Sequence, residues 1–343
     1  MRYNSGMTWD IYGHDWAVSL LKEHTKTEKL RHAYLITGAQ GVGRRTLALA
    51  FVKALNCVQP LGQGLPCGIC TTCQQIARQV YPDLSVIEPE EGHKDIRIEQ
   101  VRTLRHSLVL APYQAHYRVA LLLDFQRVTP GAANALLKTL EEPPPKAVII
   151  LTADAQESLL PTIVSRCEVL RLRPMSVQAA ENFLEEQKGL SQLDARLLAH
   201  ITSGRLGAAL KLHADPQALI YRQQVLDDLA RLLPASRRER FAYIEAEMKQ
   251  SRKRRENLSK IISIWLTFWR DVFICASGAD IPLVNIDREP YIRAVAEQVD
   301  LANAQSVMAS LEEGLKQLDV YVNARLLAEN LLLLWPRIPG LVT

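Results

Sequence analysis

The sequence predicts a doubly wound α/β domain with an inserted metal module, followed by two helical parts. Three observations carry this. A glycine loop follows directly on a short apolar run, further apolar runs alternate with helical spacing as far as Pro174, and helical spacing alone continues beyond it.

The elements follow in order. HAYLIT (His32–Thr37) reads as a buried strand running into the loop GAQGVGRRT, and TLALAFVKAL, from Thr46, as the helix leaving it. DLSVIEP (Asp83–Pro89) is a second strand. RIEQVRTLRHSLVLAP has helical spacing through Ile98, Val101, Leu104 and Leu108. RVALLLD (Arg118–Asp124) is continuously apolar up to its final acid, as a central parallel strand covered on both faces should be. GAANALLKTLEE (Gly131–Glu142) is a helix stopped by Pro143–Pro145, and AVIILTAD (Ala147–Asp154) and CEVLRL (Cys167–Leu172) are further strands. SVQAAENFLEEQ and SQLDARLLAHITSG are helical, as are IISIWLTFWRDVFI and RLLAENLLLLW. The expected division is residues 1–173, with the metal module at 57–73, then 174–213, then 214–343.

Composition narrows the class. The chain has 343 residues, 48% hydrophobic and 23% charged, with a net charge of +4, ordinary for a globular protein. That charge permits contact with nucleic acid without requiring it. No apolar run reaches the length of a membrane span. MRYNSGMTWDIYGHDW has no apolar core and does not read as a signal peptide, so the expected location is the cytoplasm.

Cys57, Cys67, Cys70 and Cys73 form C-x9-C-x2-C-x2-C. Four thiolates can surround one Zn²⁺ tetrahedrally at about 2.3 Å, leaving no open position, which makes the site structural. Three cysteines within seven residues argue against unrelated buried thiols. A zinc-ribbon reader of DNA is the other zinc-based reading, but the module lacks a basic cluster and lies between the first helix and second strand. Cys167 and Cys275 are isolated and read as core residues.

The loop is close to G-x-x-x-x-G-K-[ST]. Gly38 and Gly43 have the right spacing, with Gly41 between them, but Arg44 stands where lysine belongs and Arg45 where the hydroxyl belongs. A planar fork differs in shape from a compact ammonium, and Arg45 cannot ligate Mg²⁺. Thr46 offers a hydroxyl one residue late, turned by roughly 100°. The second Mg²⁺ position calls for acids at the end of a central strand, and Asp124 is alone there.

GAANALLKTLEEPPPKAVIILTADAQESLLPTIVSRC (Gly131–Cys167) closely resembles the clamp-loader ATPase-fold (AAA+) subunits of bacterial DNA polymerase III. The cysteine module is similar to theirs as well. The resemblance covers about the first half of the chain, and the C-terminal third is recognisable only as helical. It implies a nucleotide-loop α/β domain, a small helical lid and an all-α C-terminal collar in a hetero-oligomeric ring that places a sliding clamp on primed DNA. The family contains ATP-hydrolysing motor subunits and a non-hydrolysing partner, and GVGRRT looks like the partner. Against the family's D-E strand end, Leu123 takes the magnesium-binding position and Asp124 the catalytic one. In GRLGAAL, Gly207 takes the place of the second sensor arginine.

The resemblance therefore implies a chain whose own ATP site is weak or absent, with a hydrolysing motor subunit as the alternative. It also implies a structural Zn²⁺, with motor subunits, the delta subunit, primed DNA and, indirectly, the clamp as partners, in a nucleoid-associated cytoplasmic assembly. Ser165-Arg166-Cys167 matches the family's SRC motif, whose arginine reaches a neighbouring subunit's ATP as an arginine finger. From the residues alone, Arg166 could equally cap or salt-bridge a helix end. Two basic runs, SRRER (236–240) and KQSRKRREN (249–257), fit duplex phosphates or a solvated helix face equally well. The stripes around Trp265, Trp269 and Leu331–Trp335 suit a local core or partner subunits, core being the simpler reading for any one residue.

Overall fold

The computed structural model describes residues 9–26, 29–90, 93–250, 254–319 and 323–339. It divides into two compact units, residues 1–175 with 205–208, and residues 176–204 with 209–343.

The first unit holds five parallel strands, β1 (Ala33–Thr37), β2 (Leu84–Ile87), β3 (Arg118–Leu122), β4 (Ala147–Ala153) and β5 (Glu168–Arg171), in the order β2-β3-β4-β1-β5. Its helices are α1 (Asp15–Lys26), α2 (Arg44–Asn56), α3 (Thr71–Ala77), α4 (Ile98–Val109), α5 (Pro130–Glu141) and the single turn α6 (Pro161–Val164).

Strand side chains alternate between faces. Tyr34, Ile36, Val119, Leu121, Val148 and Ile150 join Leu21, Leu47, Phe51 and Ile76 on one side. Leu35, Ala120, Leu122, Ile149 and Leu151 join Val101, Leu104, Leu136 and Leu140 on the other. Helices therefore cover both faces, which is why β1 and β4 are buried at every residue and read as unbroken apolar runs. The β1–β4 pairing sets the carboxyl ends of β1, β4 and β3 side by side, the place where open α/β sheets bind ligands.

Most boundaries fall within one or two residues of the sequence reading, and two of the differences bear on the site. Helix α2 begins at Arg44 rather than Thr46, because Gly43 takes φ 113° and lets the helix start at once. Strand β3 ends at Leu122, and Asp124 turns into the left-handed region at φ 50°.

The second unit contains α7 (Val177–Lys188), α8 (Gln192–Ile201), the greater part of α9 (Leu206–His213), α10 (Pro216–Leu232), α11 (Arg237–Gln250), α12 (Arg254–Ser277), α13 (Glu289–Ala296), α14 (Leu301–Asp319) and α15 (Ala324–Leu333). Helix α12 is its axis. Trp265 and Trp269 are fully buried and meet Trp335 edge-on, with ring centroids 4.8 and 5.7 Å away. Leu331, Leu332 and Trp335 are likewise core, while Leu333 and Leu334 are exposed.

Within the first basic run, Arg240 fits neither sequence reading. It is 4% exposed and donates to five backbone carbonyls, those of Leu232, Leu233, Leu332, Trp335 and Pro336. Its fork thus satisfies carbonyls left over at the ends of α10 and α15, a structural use of the charge. In the second run, the side chains of residues 249–253 lie outside the described residues.

Candidate functional site

The glycine loop leaves β1 and enters α2. Gly38 lies at φ 146°, and an added Cβ would stand 2.5 Å from the carbonyl oxygen of Leu172. Its N–H donates to the carbonyls of Ala153 and Asp154 at 3.2 Å, tying the loop to the end of β4. Gly41 lies at φ 83°, and a Cβ there would meet Ala208 N at 2.8 Å. Gly207 is as close, its added Cβ 2.8 Å from the Gly41 carbonyl oxygen. The segment 205–208, part of this same unit, therefore lies directly on the backbone that would cradle phosphates.

Arg44 is 7% exposed and points inward. Its Nη2 donates to Asp124 Oδ1 at 3.0 Å, and its Nη1 is 2.8 Å from Asp154 Oδ1. The second contact is a close charge contact without hydrogen-bond alignment. Asp154 follows β4, the neighbour of β1, and Asp124 follows β3, one strand further on. Asp124 is fixed by its own N–H, which donates to Thr152 Oγ1 at 2.9 Å, and Asp154 accepts from Gln126 Nε2 at 3.0 Å. Arg45 turns the other way, to Gln79 Oε1 at 2.6 Å and Glu88 Oε2 at 3.5 Å. Thr46 is exposed on α2, and Leu123 is buried.

These residues do not fit a magnesium nucleotide as they stand. The cation nearest the loop is already neutralised by two carboxylates, the Gly41 backbone is covered, and Leu123 offers no ligand oxygen. The arrangement can hold three strand ends together, and it meets the one cation of the loop with two acids of the chain itself.

The cysteine module is the opposite case. Helix α2 ends by delivering Cys57, and α3 begins after Cys70, whose sulfur accepts the N–H of Cys73. The four Sγ atoms all lie within 4.8 Å of one another, with Cys57 Sγ 3.6 Å from Cys67 Sγ and 3.9 Å from Cys70 Sγ. A tetrahedron with arms of about 2.3 Å has edges of about 3.8 Å, so these separations suit one ion. Backbone N–H groups of Cys67, Cys70 and Cys73 donate to the sulfurs of Cys57, Cys67 and Cys70 at 3.3, 3.3 and 3.4 Å. Such bonds favour thiolate. Donation from the Cys70 N–H lowers the Cys67 thiol to about 6, whereas burial pushes Cys57 and Cys73 up. The four could hold a metal ion.

Arg166 follows α6. Its Nη1 donates to Thr162 O at 2.8 Å and its Nη2 to Glu141 Oε1 at 2.8 Å, and the side chain remains 35% exposed. Ser165 Oγ donates to Thr162 O at 3.2 Å. In the isolated chain Arg166 thus caps a helix turn and pairs with an acid, while keeping access to solvent.

Sequence reasoning missed Asp154 as a partner of Arg44, the covering segment 205–208, and His14, whose Nε2 lies 2.9 Å from Val42 O. Asp154 was in view as the acid ending an apolar run, and the β1–β4 adjacency was what remained hidden.

Two family models match the chain, DNA polymerase III, delta subunit over residues 13–176 and DNA polymerase III, delta subunit, C terminal over residues 216–337. The chain is 28% identical to DNA polymerase III subunit delta' of Bacillus subtilis over 317 residues, 92% of this chain and 94% of that protein. It is 40% identical to subunit delta' of Pseudomonas aeruginosa over 158 residues, 46% of this chain and 47% of that protein. It is 31% identical to subunit tau of Escherichia coli over 208 residues, 59% of this chain and 32% of that protein. The chain belongs to the delta prime family of DNA polymerase III clamp-loader subunits.

Proposed function

We propose that this chain is a largely non-hydrolysing stator of a sliding-clamp loader, with an AAA+ type α/β domain, and that it lends Arg166 to ATP held by a neighbouring subunit. The observation that carries the reading is the pairing of Arg44 with Asp124 and Asp154. A loop that neutralises its own cation has little left to offer a phosphate. Leu123 and Gly207, at the positions where the family's working members place an acid and an arginine, support the same conclusion.

Arg166 is exposed enough to be captured by a partner. Its pair with Glu141 lies in solvent, where such pairs are worth roughly 0–1 kcal/mol, so exchange for a phosphoryl group costs little. Ser165, Cys167 and the Thr162 carbonyl fix the turn from which it would reach. The cysteine module would hold one structural Zn²⁺, which supplies no chemistry beyond cross-linking the module. Partners would be the motor subunits, the delta subunit and, within the assembly, primed DNA and the clamp. The helices of residues 174–213 would form a lid and those of 214–343 a collar, and the complex would act in the cytoplasm at the nucleoid. Among the described residues no helix is long and apolar enough to cross a membrane.

The test is the Arg166→Ala variant in the reconstituted loader. A fall of roughly 10³-fold in clamp-stimulated ATP turnover, with assembly intact, is expected for loss of a finger. An unchanged rate would leave Arg166 as a helix cap and remove the stator's catalytic role.

A further inference from the structure

Helix α5, whose sequence ends LKTLEEPPP, closes on acids. Pro143–Pro145 stop the helix, so that its last residue is Glu141 and its C-cap Glu142. A helix gathers partial negative charge at this end, where cations are favoured and carboxylates are not. Lys138, in the last turn, offsets part of the cost. Arg166 brings a second cation, because α6 packs against α5 and sets the guanidinium beside Glu141.

The two anchors of Arg166 differ in kind. Nη1 donates to Thr162 O at 2.8 Å, four residues back on the turn that carries the arginine, so this bond moves with the side chain's own backbone. Nη2 donates to Glu141 Oε1 at 2.8 Å, across 25 residues and from a different helix. With both terminal nitrogens engaged, a phosphoryl group taken up by the fork has to displace or share one of these bonds. Glu141 is the anchor that competes, since a carboxylate and a phosphoryl oxygen take the same N–H and repel each other. Arg44 shows the same chemistry carried to closure, with two carboxylates on an arginine only 7% exposed. At Arg166 there is one carboxylate, itself 50% exposed, and such a pair opens readily.

We propose that Glu141 is a positioning residue for the arginine finger. It holds Arg166 against the end of α5, away from the neighbouring subunit's ATP, until the phosphoryl group is brought within reach. The proposal rests on the stator reading and adds to it the regulation of the same arginine. The hold is weak by construction. An exposed pair of this kind shifts an equilibrium by up to about fivefold. That is enough to lower idle turnover, and too little to prevent engagement once a phosphoryl group offers its equatorial oxygens to the fork.

The test is steady-state ATP turnover of the reconstituted loader, first without clamp and DNA and then with both. The variants are Glu141→Gln, Glu142→Gln, Arg166→Ala, and Glu141→Gln combined with Arg166→Ala. Glu141→Gln keeps the size of the side chain and removes its charge. It should raise the idle rate by roughly two- to fivefold at low salt and leave the stimulated rate within about twofold. The gain should shrink as ionic strength rises, because salt screens the pair, whereas a structural effect on α5 would not respond in this way. Glu142→Gln should leave both rates as they are, and Glu141→Gln should change nothing in the Arg166→Ala background. A loader indifferent to Arg166→Ala would sink the stator reading itself. With Arg166→Ala slowing turnover as expected, an idle rate unchanged by Glu141→Gln would overturn the present proposal alone. A lowered idle rate would overturn it too, and would make Glu141 the residue that aims the finger. So would a rise that Glu142→Gln reproduces, that salt leaves intact, or that survives the loss of Arg166.

Discussion

Two loops of the α/β unit have the residues of ligand sites, and they have met opposite fates. At the cysteine module four sulfurs converge at separations suited to one ion, and among the described residues no side-chain cation meets them. At the glycine loop the same unit supplies the counter-charges itself, through Asp124 and Asp154 on Arg44, and lays residues 205–208 over the Gly41 backbone. A ligand site persists where its donors remain uncompensated. It closes when neighbouring strand ends provide the compensation, even though the glycine backbone keeps its shape.

The largest effect expected from this contrast is at the cysteines. The protein should carry one zinc per chain, and stripping it with a chelator should destabilise the first unit on the order of 5 kcal/mol, read by metal analysis and thermal unfolding. A metal-free protein whose melt ignores chelation would erase the contrast.

The second unit supplies a scale for an arginine engaged by its own chain. Arg222 donates to Asp287 through both nitrogens, at 2.8 and 2.7 Å, with the two side chains only 8% and 22% exposed. Burial works to raise the Asp287 carboxyl, but the bonds from Arg222 outweigh it and hold the pKa below the ordinary value. A depressed folded pKa means stability that is present above the unfolded value, near 4, and lost as pH falls through the folded one. Asp287→Asn should cost about 2–3 kcal/mol at neutral pH and flatten the acid limb of the unfolding curve. An acid limb identical in the variant would show that the pair does not set it.

Gly41→Ala is next. Its left-handed φ and the 2.8 Å approach to Ala208 N should cost about 1–3 kcal/mol in chemical denaturation if the cover is real. A neutral effect would mean that the covering segment yields easily. The smallest effect is expected from Arg44→Ala, about 1 kcal/mol, because Asp124 and Asp154 remain 37% and 55% exposed and rehydrate when freed. A loss several times larger would mean the ion pair is the main tie between the strand ends.

Much of the fold was legible because parallel strands buried on both faces leave continuous apolar runs, and β1, β3 and β4 are of this kind. The cysteine site was legible for a similar reason, since all its ligands lie within one short stretch. The state of the glycine loop was only half legible. Arg44 and Arg45 announce a departure, but the direction of Arg44 depends on strand order and on a contact across more than a hundred residues, to Asp154, and the cover over Gly41 on a still longer one, to Ala208. Arg240 misled for the same reason. It stands in a run of surface-like charges, and only the meeting of two helix ends makes it a buried donor. Helices α1 and α3 also went unread, one behind an unpromising N-terminal stretch and the other inside the metal module.

The most direct test of the central claim is titration of the purified subunit with a fluorescent ATP analogue, with and without Mg²⁺, followed by a turnover assay. The self-neutralised loop predicts no Mg²⁺-dependent binding and no hydrolysis, with any residual binding indifferent to Mg²⁺ and unchanged in Arg44→Ala. Tight Mg²⁺-dependent binding with steady hydrolysis would contradict it, and would mean that Arg44 leaves its two carboxylates when a nucleotide arrives.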